Sequence, residues 1–263
     1  MSDTTIRRPI RWSSVEETNV GMVREVNEDS IISLPEVQLW AVADGMGGYE
    51  AGNVASNMIV KSLSEVTNKS TLNGFIDSVE DRLIDVNHRI LEYADIMLDG
   101  RTLGSTIVTL AIKGHVGICL WAGDSRLYRF RNNNFIQLSR DHSQVEELVQ
   151  QGFLTPEEAE VHPDSNVITR AIGASPDIYI DINVFSVQLG DTFLLCSDGL
   201  YNMVPKDEIT QILSSLPLQE AIDTLIQKAL DNGANDNVSV ILVKGEPDAA
   251  YSTQVILQEQ VDS

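Results

Sequence analysis

Five acidic positions in this chain share one local pattern. Leu39 to Ala43 is an apolar run that ends in Asp44-Gly45, and Phe193 to Ser197 ends in Asp198-Gly199. Val116 to Ala122 ends in Gly123-Asp124. Asp236-Asn237 directly precedes Val238 to Val243, and Glu28-Asp29 precedes Ser30 to Leu34. Each acid stands where a buried strand meets a loop. One Asp-Gly pair by itself is an ordinary turn signal. Five such ends brought together would be a cluster of carboxylates, and two of them about 4 Å apart repel by about 4 kcal/mol at an effective dielectric of 20. Such a cluster needs a cation or shifted pKa values. Oxygen-only ligands select a hard ion, Mg²⁺ or Mn²⁺, over zinc, and Gly45 would let its own carbonyl approach that ion. Carboxylate-held metal pairs suit phosphoryl chemistry, in which two ions share and acidify a water. A phosphate dianion also needs a cation that does not titrate. Arg24, four residues before Glu28, is the candidate.

The elements that must position these acids alternate irregularly. Ser30 to Leu34 and Gln38 to Ala43 read as a hairpin through Pro35-Glu36. Two amphipathic helices follow, about 51–66 and 72–98, from apolar residues at three-and-four spacing. Four short apolar runs between 105 and 138, broken by turn residues, suggest an antiparallel meander. Ser143 and Thr155 are N-cap candidates with glutamates three residues on, which would complete capping boxes. Strands are expected near 178–184, 192–196 and 238–243, and helices near 206–216 and 218–231. The sum is about ten strands and five helices. Runs of strands followed by runs of helices indicate an α+β fold. Residues 1–12 read as an N-terminal arm, 13–245 as a single domain, and 246–263 as a polar tail with a short strand near 255–257.

Composition excludes several classes. The chain has 263 residues and a net charge of −21, which disfavours nucleic acid and anionic membrane as partners. No apolar stretch is long enough to cross a bilayer, and no signal peptide is recognisable. Cys119 and Cys196 lie inside apolar runs and read as buried thiols, which suits the cytoplasm.

The order of the motifs carries a resemblance. Gly21-Met22-Val23-Arg24-Glu25-Val26-Asn27-Glu28-Asp29, Val42-Ala43-Asp44-Gly45-Met46-Gly47-Gly48, Gly104-Ser105-Thr106, Ala122-Gly123-Asp124-Ser125-Arg126, Cys196-Ser197-Asp198-Gly199-Leu200 and Asn235-Asp236-Asn237-Val238-Ser239 follow one another as in the metal-dependent serine/threonine protein phosphatases (PPM, type 2C), bacterial type. The resemblance implies a four-layer α-β-β-α sandwich, two antiparallel sheets flanked by helices, with a metal centre at one edge. It implies two Mn²⁺ or Mg²⁺ ions and a weaker third. Asp44 would bridge the first two, with Asp198 and Asp236 on the first ion. The Gly45 carbonyl, Glu28 and Asp29 would serve the second, and Asp124 with Asp198 the third. Arg24 would bind phosphate, and 140–173 would be a flap bordering the substrate. The implied reaction is hydrolysis of phosphoserine and phosphothreonine by a water or hydroxide shared between two ions.

The expected partners are phosphorylated proteins, through a bacterial Hanks-type kinase or its targets, with the chain acting as a monomer. Type VI secretion is one pathway that some bacterial relatives serve. A catalytically weak binding module of the same fold and a small-molecule phosphoesterase are the alternative readings. Met46 stands where animal members commonly carry a histidine, so the proton for the leaving serine alkoxide is unassigned. A water on the third ion near Asp124 and His142 in the flap are the two candidates. The acidic balance also implies a preference for basic residues around the phosphosite.

Overall fold

The computed structural model describes residues 9–47 and 51–248. The expected tail strand at 255–257, the first eight residues of the arm and Gly48 lie outside that range. In chain order the elements are β1 (Ile10–Asn19), β2 (Asp29–Leu34), β3 (Leu39–Gly47), α1 (Gly52–Leu63), α2 (Leu72–Met97), β4 (Leu103–Ser105), β5 (Ile107–Lys113), β6 (Val116–Ala122), β7 (Arg126–Arg131) and β8 (Asn134–Gln137). Then come α3 (Gln144–Gln150), α4 (Pro156–Glu160), β9 (Asp181–Ser186), β10 (Thr192–Cys196), α5 (Asp198–Tyr201), α6 (Lys206–Ser215), α7 (Leu218–Asp231) and β11 (Val238–Pro247).

One sheet has the order β1-β11-β10-β7-β8 and the other β2-β3-β5-β6-β9, with β4 paired to β3. Trp40, Val42, Val108, Leu110 and Cys119 of one sheet pack on Phe193, Leu195, Ile241 and Val243 of the other. The outer face of the first of these sheets is covered by α1 and α2 through Ile59, Leu63, Phe75, Val79, Leu83 and Ile90. The outer face of the other is covered by α6 and α7 through Ile209, Ile222 and Leu225. This is the four-layer α+β sandwich. The central strands β3 and β10 are buried on both faces, so they read as unbroken apolar runs. Full burial of a side chain such as Trp40 or Phe193 stabilises the fold by roughly 1.5–3 kcal/mol.

Four expectations are corrected. Ile10 to Trp12 are not an arm: β1 begins at Ile10, pairs with β11 along its whole length, and buries Trp12 between the sheets. Likewise Glu246 and Pro247 are the last residues of β11, not tail. The meander is two hairpins in different sheets. β5 and β6 pair in one, β7 and β8 in the other, and Gly123 to Ser125 carry the chain across. Finally, Ser143 accepts from the Glu146 amide, but the reciprocal half of the box forms only at Thr155 and Glu158. Both cysteines are free and buried, and burial pushes their thiol pKa values up.

Candidate metal centre at one edge of the sandwich

The pairing register gathers the acids. Asp29 opens β2 and lies directly opposite Asp44 in β3. β10 and β11 are antiparallel neighbours, so Asp198, just after one, and Asp236, just before the other, leave the sheet at the same end. Arg126, which opens β7, pairs with Cys196 at that end, and the crossover bearing Asp124 therefore emerges there too. The charge of Asp44 is opposed by those of Asp29, Asp198, Asp124 and Asp236 together.

Both Asp-Gly pairs have a reason other than a turn. Neither Gly45 nor Gly199 has a positive φ. A Cβ on Gly45 would lie 2.2 Å from the Gly52 carbonyl oxygen and 2.6 Å from that of Glu28. A Cβ on Gly199 would lie 2.0 Å from the Asn237 carbonyl oxygen. The missing side chains let neighbouring backbones close on the two aspartates from behind.

Uncharged side chains fix the loops. The backbone N–H of Thr106 donates to the Asp44 carbonyl (2.8 Å), and its hydroxyl accepts from the Asp44 amide (3.1 Å). That hydroxyl also bonds Ser125 Oγ at 2.7 Å, next to Asp124. Ser197 Oγ donates to Asp29 Oδ2 (2.8 Å). Asn237 Oδ1 accepts from the Glu28 amide (2.8 Å), while its Nδ2 donates to the carbonyls of Val20 (2.9 Å) and Val26 (3.1 Å). One buried amide thus clamps the loop that presents Arg24 and Glu28. The sequence reading placed Asn237, Thr106 and Ser197 inside motifs without giving them a role. Ser197 and Asn237 each stand next to an acid at a strand end, whereas nothing beside Thr106 marks it. Asn237→Ala removes three bonds from a buried site and is expected to cost about 1–3 kcal/mol, read as a lower thermal midpoint. An unchanged midpoint would show that the loop holds itself.

Burial pushes the carboxyl of Asp124 up to about 6, with the Asp141 charge adding to it, and that of Asp198 up to about 8, with Asp124 and Asp236 adding. Burial likewise raises Asp29, with the Asp236 charge adding to it, and Asp44, with the Asp29 charge adding to it. Asp29 Oδ1 and Asp198 Oδ1 are buried oxygens to which no protein group donates. A hard divalent cation fits this donor set, because it would supply the charge and the partner that those oxygens lack. Two other acids have protein partners. Arg24 Nη2 donates to Asp236 Oδ2 (2.7 Å), and the Gly52 amide donates to Glu28 Oε1 (2.8 Å). Accordingly, among the described residues, no three Asp, Glu, His or Cys side chains converge as they stand on one point at ion-binding distance. The Arg24–Asp236 pair is half-exposed and open to exchange, so Asp236 can be released to a cation.

The sequence profile described as "Protein phosphatase 2C" matches residues 23–242. The chain belongs to the protein phosphatase 2C family. Among curated relatives, the phosphatase is similar to the serine/threonine phosphatase stp of Listeria monocytogenes, 38% identical over 235 residues that cover 86% of this chain and 93% of that one. Among solved structures it is similar to PppA of Pseudomonas aeruginosa, described as a key regulatory component of its T6SS (38% identity, 91% and 100% coverage, TM-score 0.83). It is also similar to the catalytic domain of the serine/threonine protein phosphatase PstP, solved with two manganese ions (30% identity, 90% and 99% coverage, TM-score 0.80).

In this phosphatase, residues 140–173 lie outside both sheets and contain α3 and α4. Their root is tied to the acidic edge. Arg126 forks onto the Asp141 carboxylate (Nη2 to Oδ2 2.6 Å, Nε to Oδ1 3.1 Å) and lies 3.6 Å above the centre of the Tyr201 ring, whose hydroxyl donates to the Asp124 carbonyl (3.2 Å). His142 is taken up here as well. Its Nδ1 accepts from the Gly123 amide (3.1 Å), its own amide donates to the Gly123 carbonyl (2.9 Å), and its ring stacks on Trp121. Nε2 is 3.3 Å from Asp181 Oδ2 without a well-aligned bond. Burial, with the Arg170 charge, lowers the pKa of this imidazole. His142 therefore braces the Asp124 loop through Nδ1, with Nε2 facing Asp181.

Proposed function

We propose that this phosphatase hydrolyses phosphoserine and phosphothreonine in proteins, in the presence of Mn²⁺ or Mg²⁺. The observation that carries this reading is the mutually repelling set of Asp29, Asp44, Asp124, Asp198 and Asp236 at one edge of the sandwich, with two buried carboxylate oxygens that no protein donor reaches. Bound divalent cations would supply charge that neutralises these acids, acidifies a water and screens the phosphoryl oxygens. Asp44, Asp198 and Asp236 would hold one ion; Asp44, Glu28, Asp29 and the Gly45 carbonyl a second; Asp124 with Asp198 a third, weaker one. Arg24 would leave Asp236 for the substrate and fork onto two phosphoryl oxygens, charged at every working pH. Thr106, Ser197 and Asn237 hold their loops throughout, so that little reorganisation remains for the reaction. Residues 140–173 would border the bound peptide.

The substrates would be products of a Hanks-type kinase in the cytoplasm, acted on by a monomer. The likeness to PppA makes a role in regulating secretion one setting to examine. The test compares substrates at equal Mn²⁺. Phosphothreonine peptides are expected to exceed nucleotides and sugar phosphates in kcat/KM by about 10² or more, and chelation with EDTA to stop turnover. Nucleotides hydrolysed faster than every peptide would overturn the protein-substrate reading. EDTA-resistant turnover would overturn the role of the acids.

A further inference from the structure

Asn87 sits in α2, remote in sequence from every acid of the site, and it is fully buried. An amide on the buried stripe of a helix is costly unless its donors and acceptor are all used. Its partners lie at the return end of the flap. Oδ1 accepts from the Gly173 amide (2.6 Å), and Nδ2 donates to the Ser175 carbonyl (2.9 Å) and more weakly to that of Pro176 (3.4 Å). Just before this clamp, Ile172 exchanges both backbone bonds with Ser105, at 2.9 Å each. Ser105 in turn pairs with Gly45 across β4 and β3. At the entry end, His142 grips Gly123. The chain between these fastenings, past α3 and α4, exposes Val161 and Val167.

The geometry points to Asn87 as a positioning residue that sets the flap's return limb beside the acidic edge and so governs the affinity for phosphopeptides without touching them. This rests on the reading above, in which 140–173 borders the peptide. An aryl phosphate such as p-nitrophenyl phosphate needs only Arg24 and the acids, whereas a peptide also needs the rim. Loss of the clamp therefore shows in KM for the peptide and not in the chemistry.

Asn87→Ala is compared with Val79→Ala, a buried apolar truncation on the same helix that controls for general loss of stability. Both are assayed with Mn²⁺ on a phosphothreonine peptide and on p-nitrophenyl phosphate, and by hydrogen exchange of the flap. For Asn87→Ala the peptide KM is expected to rise about tenfold, with kcat and the aryl-phosphate kinetics within about twofold. Exchange around Gly173 is expected to quicken. Val79→Ala is expected to show neither effect. Equal losses on both substrates, unchanged exchange, or the same split in Val79→Ala would overturn the inference. In the unmodified protein the Gly173 amide should be protected as well as that of Ile172, and open-loop exchange there would overturn the clamp even if the variant does not fold. If the unmodified protein turns over neither substrate, the phosphatase reading fails by itself, and the exchange at Gly173 still judges the clamp.

Discussion

Asp44→Asn is expected to lower turnover of a phosphothreonine peptide by at least about 10³-fold while making the metal-free protein more heat-stable. The two effects have one source. The Asp44 carboxylate stands near the end of β3, and its charge is opposed by Asp29, Asp198, Asp124 and Asp236. Asparagine keeps the shape and the backbone bonds to Thr106 but removes a charge from the middle of the cluster. Without cations that is a relief; with them it removes the shared ligand. Kinetics with Mn²⁺ and melting curves in EDTA check both halves. A variant that keeps its activity, or that melts earlier in EDTA, would show that Asp44 is an ordinary structural carboxylate.

The second large effect couples pH to metal. The folded-state pKa values of Asp29, Asp44, Asp124 and Asp198 are all raised above their unfolded values, chiefly by burial. Below about pH 4 these groups are protonated in both states, and the folded protein carries no penalty from them. As pH rises through about 6 for Asp124 and about 8 for Asp198, the folded state must ionise against its surroundings and that stability is lost. The metal-free midpoint should therefore fall between about pH 5 and pH 8. Mn²⁺ binds the ionised form and should restore it. The gain in midpoint on adding Mn²⁺ is expected to be larger at pH 8 than at pH 5.5 by several degrees, at roughly 2–4 °C per kcal/mol for a chain of this size. Equal gains at the two pH values would mean that the carboxylates are not the groups that bind the ion.

Particular residues show what the sequence made legible. β3 and β10 sit in the middle of their sheets, so burial on both faces wrote them as continuous apolar runs ending in Asp44 and Asp198. β1 is an edge strand whose burial alternates, with Trp12 turned to one side and Val15 to the other. Only its first three residues, Ile10 to Trp12, fall in the stretch read as an arm, because the strand's pairing with β11 is a contact far along the chain. The hairpin β5-β6 and the hairpin β7-β8 are locally correct, but their division between two sheets depends on a crossover of three residues, which local pattern does not encode. The acids were legible because strand ends are marked by composition. The clamps were not, since Asn237 on Val20 and Asn87 on Gly173 are contacts between residues far apart in the chain. The reason for glycine after each aspartate was equally hidden, because it is the approach of another segment's backbone.

The most direct measurement is a count of Mn²⁺ bound per chain by isothermal titration at pH 8, in the unmodified protein and in Asp44→Asn. At least two ions for the first and weakened or lost binding in the second are the expected result. Titration heats that show no binding in the unmodified protein, or the same stoichiometry and affinity in both, would contradict a shared cation site at this edge of the sandwich.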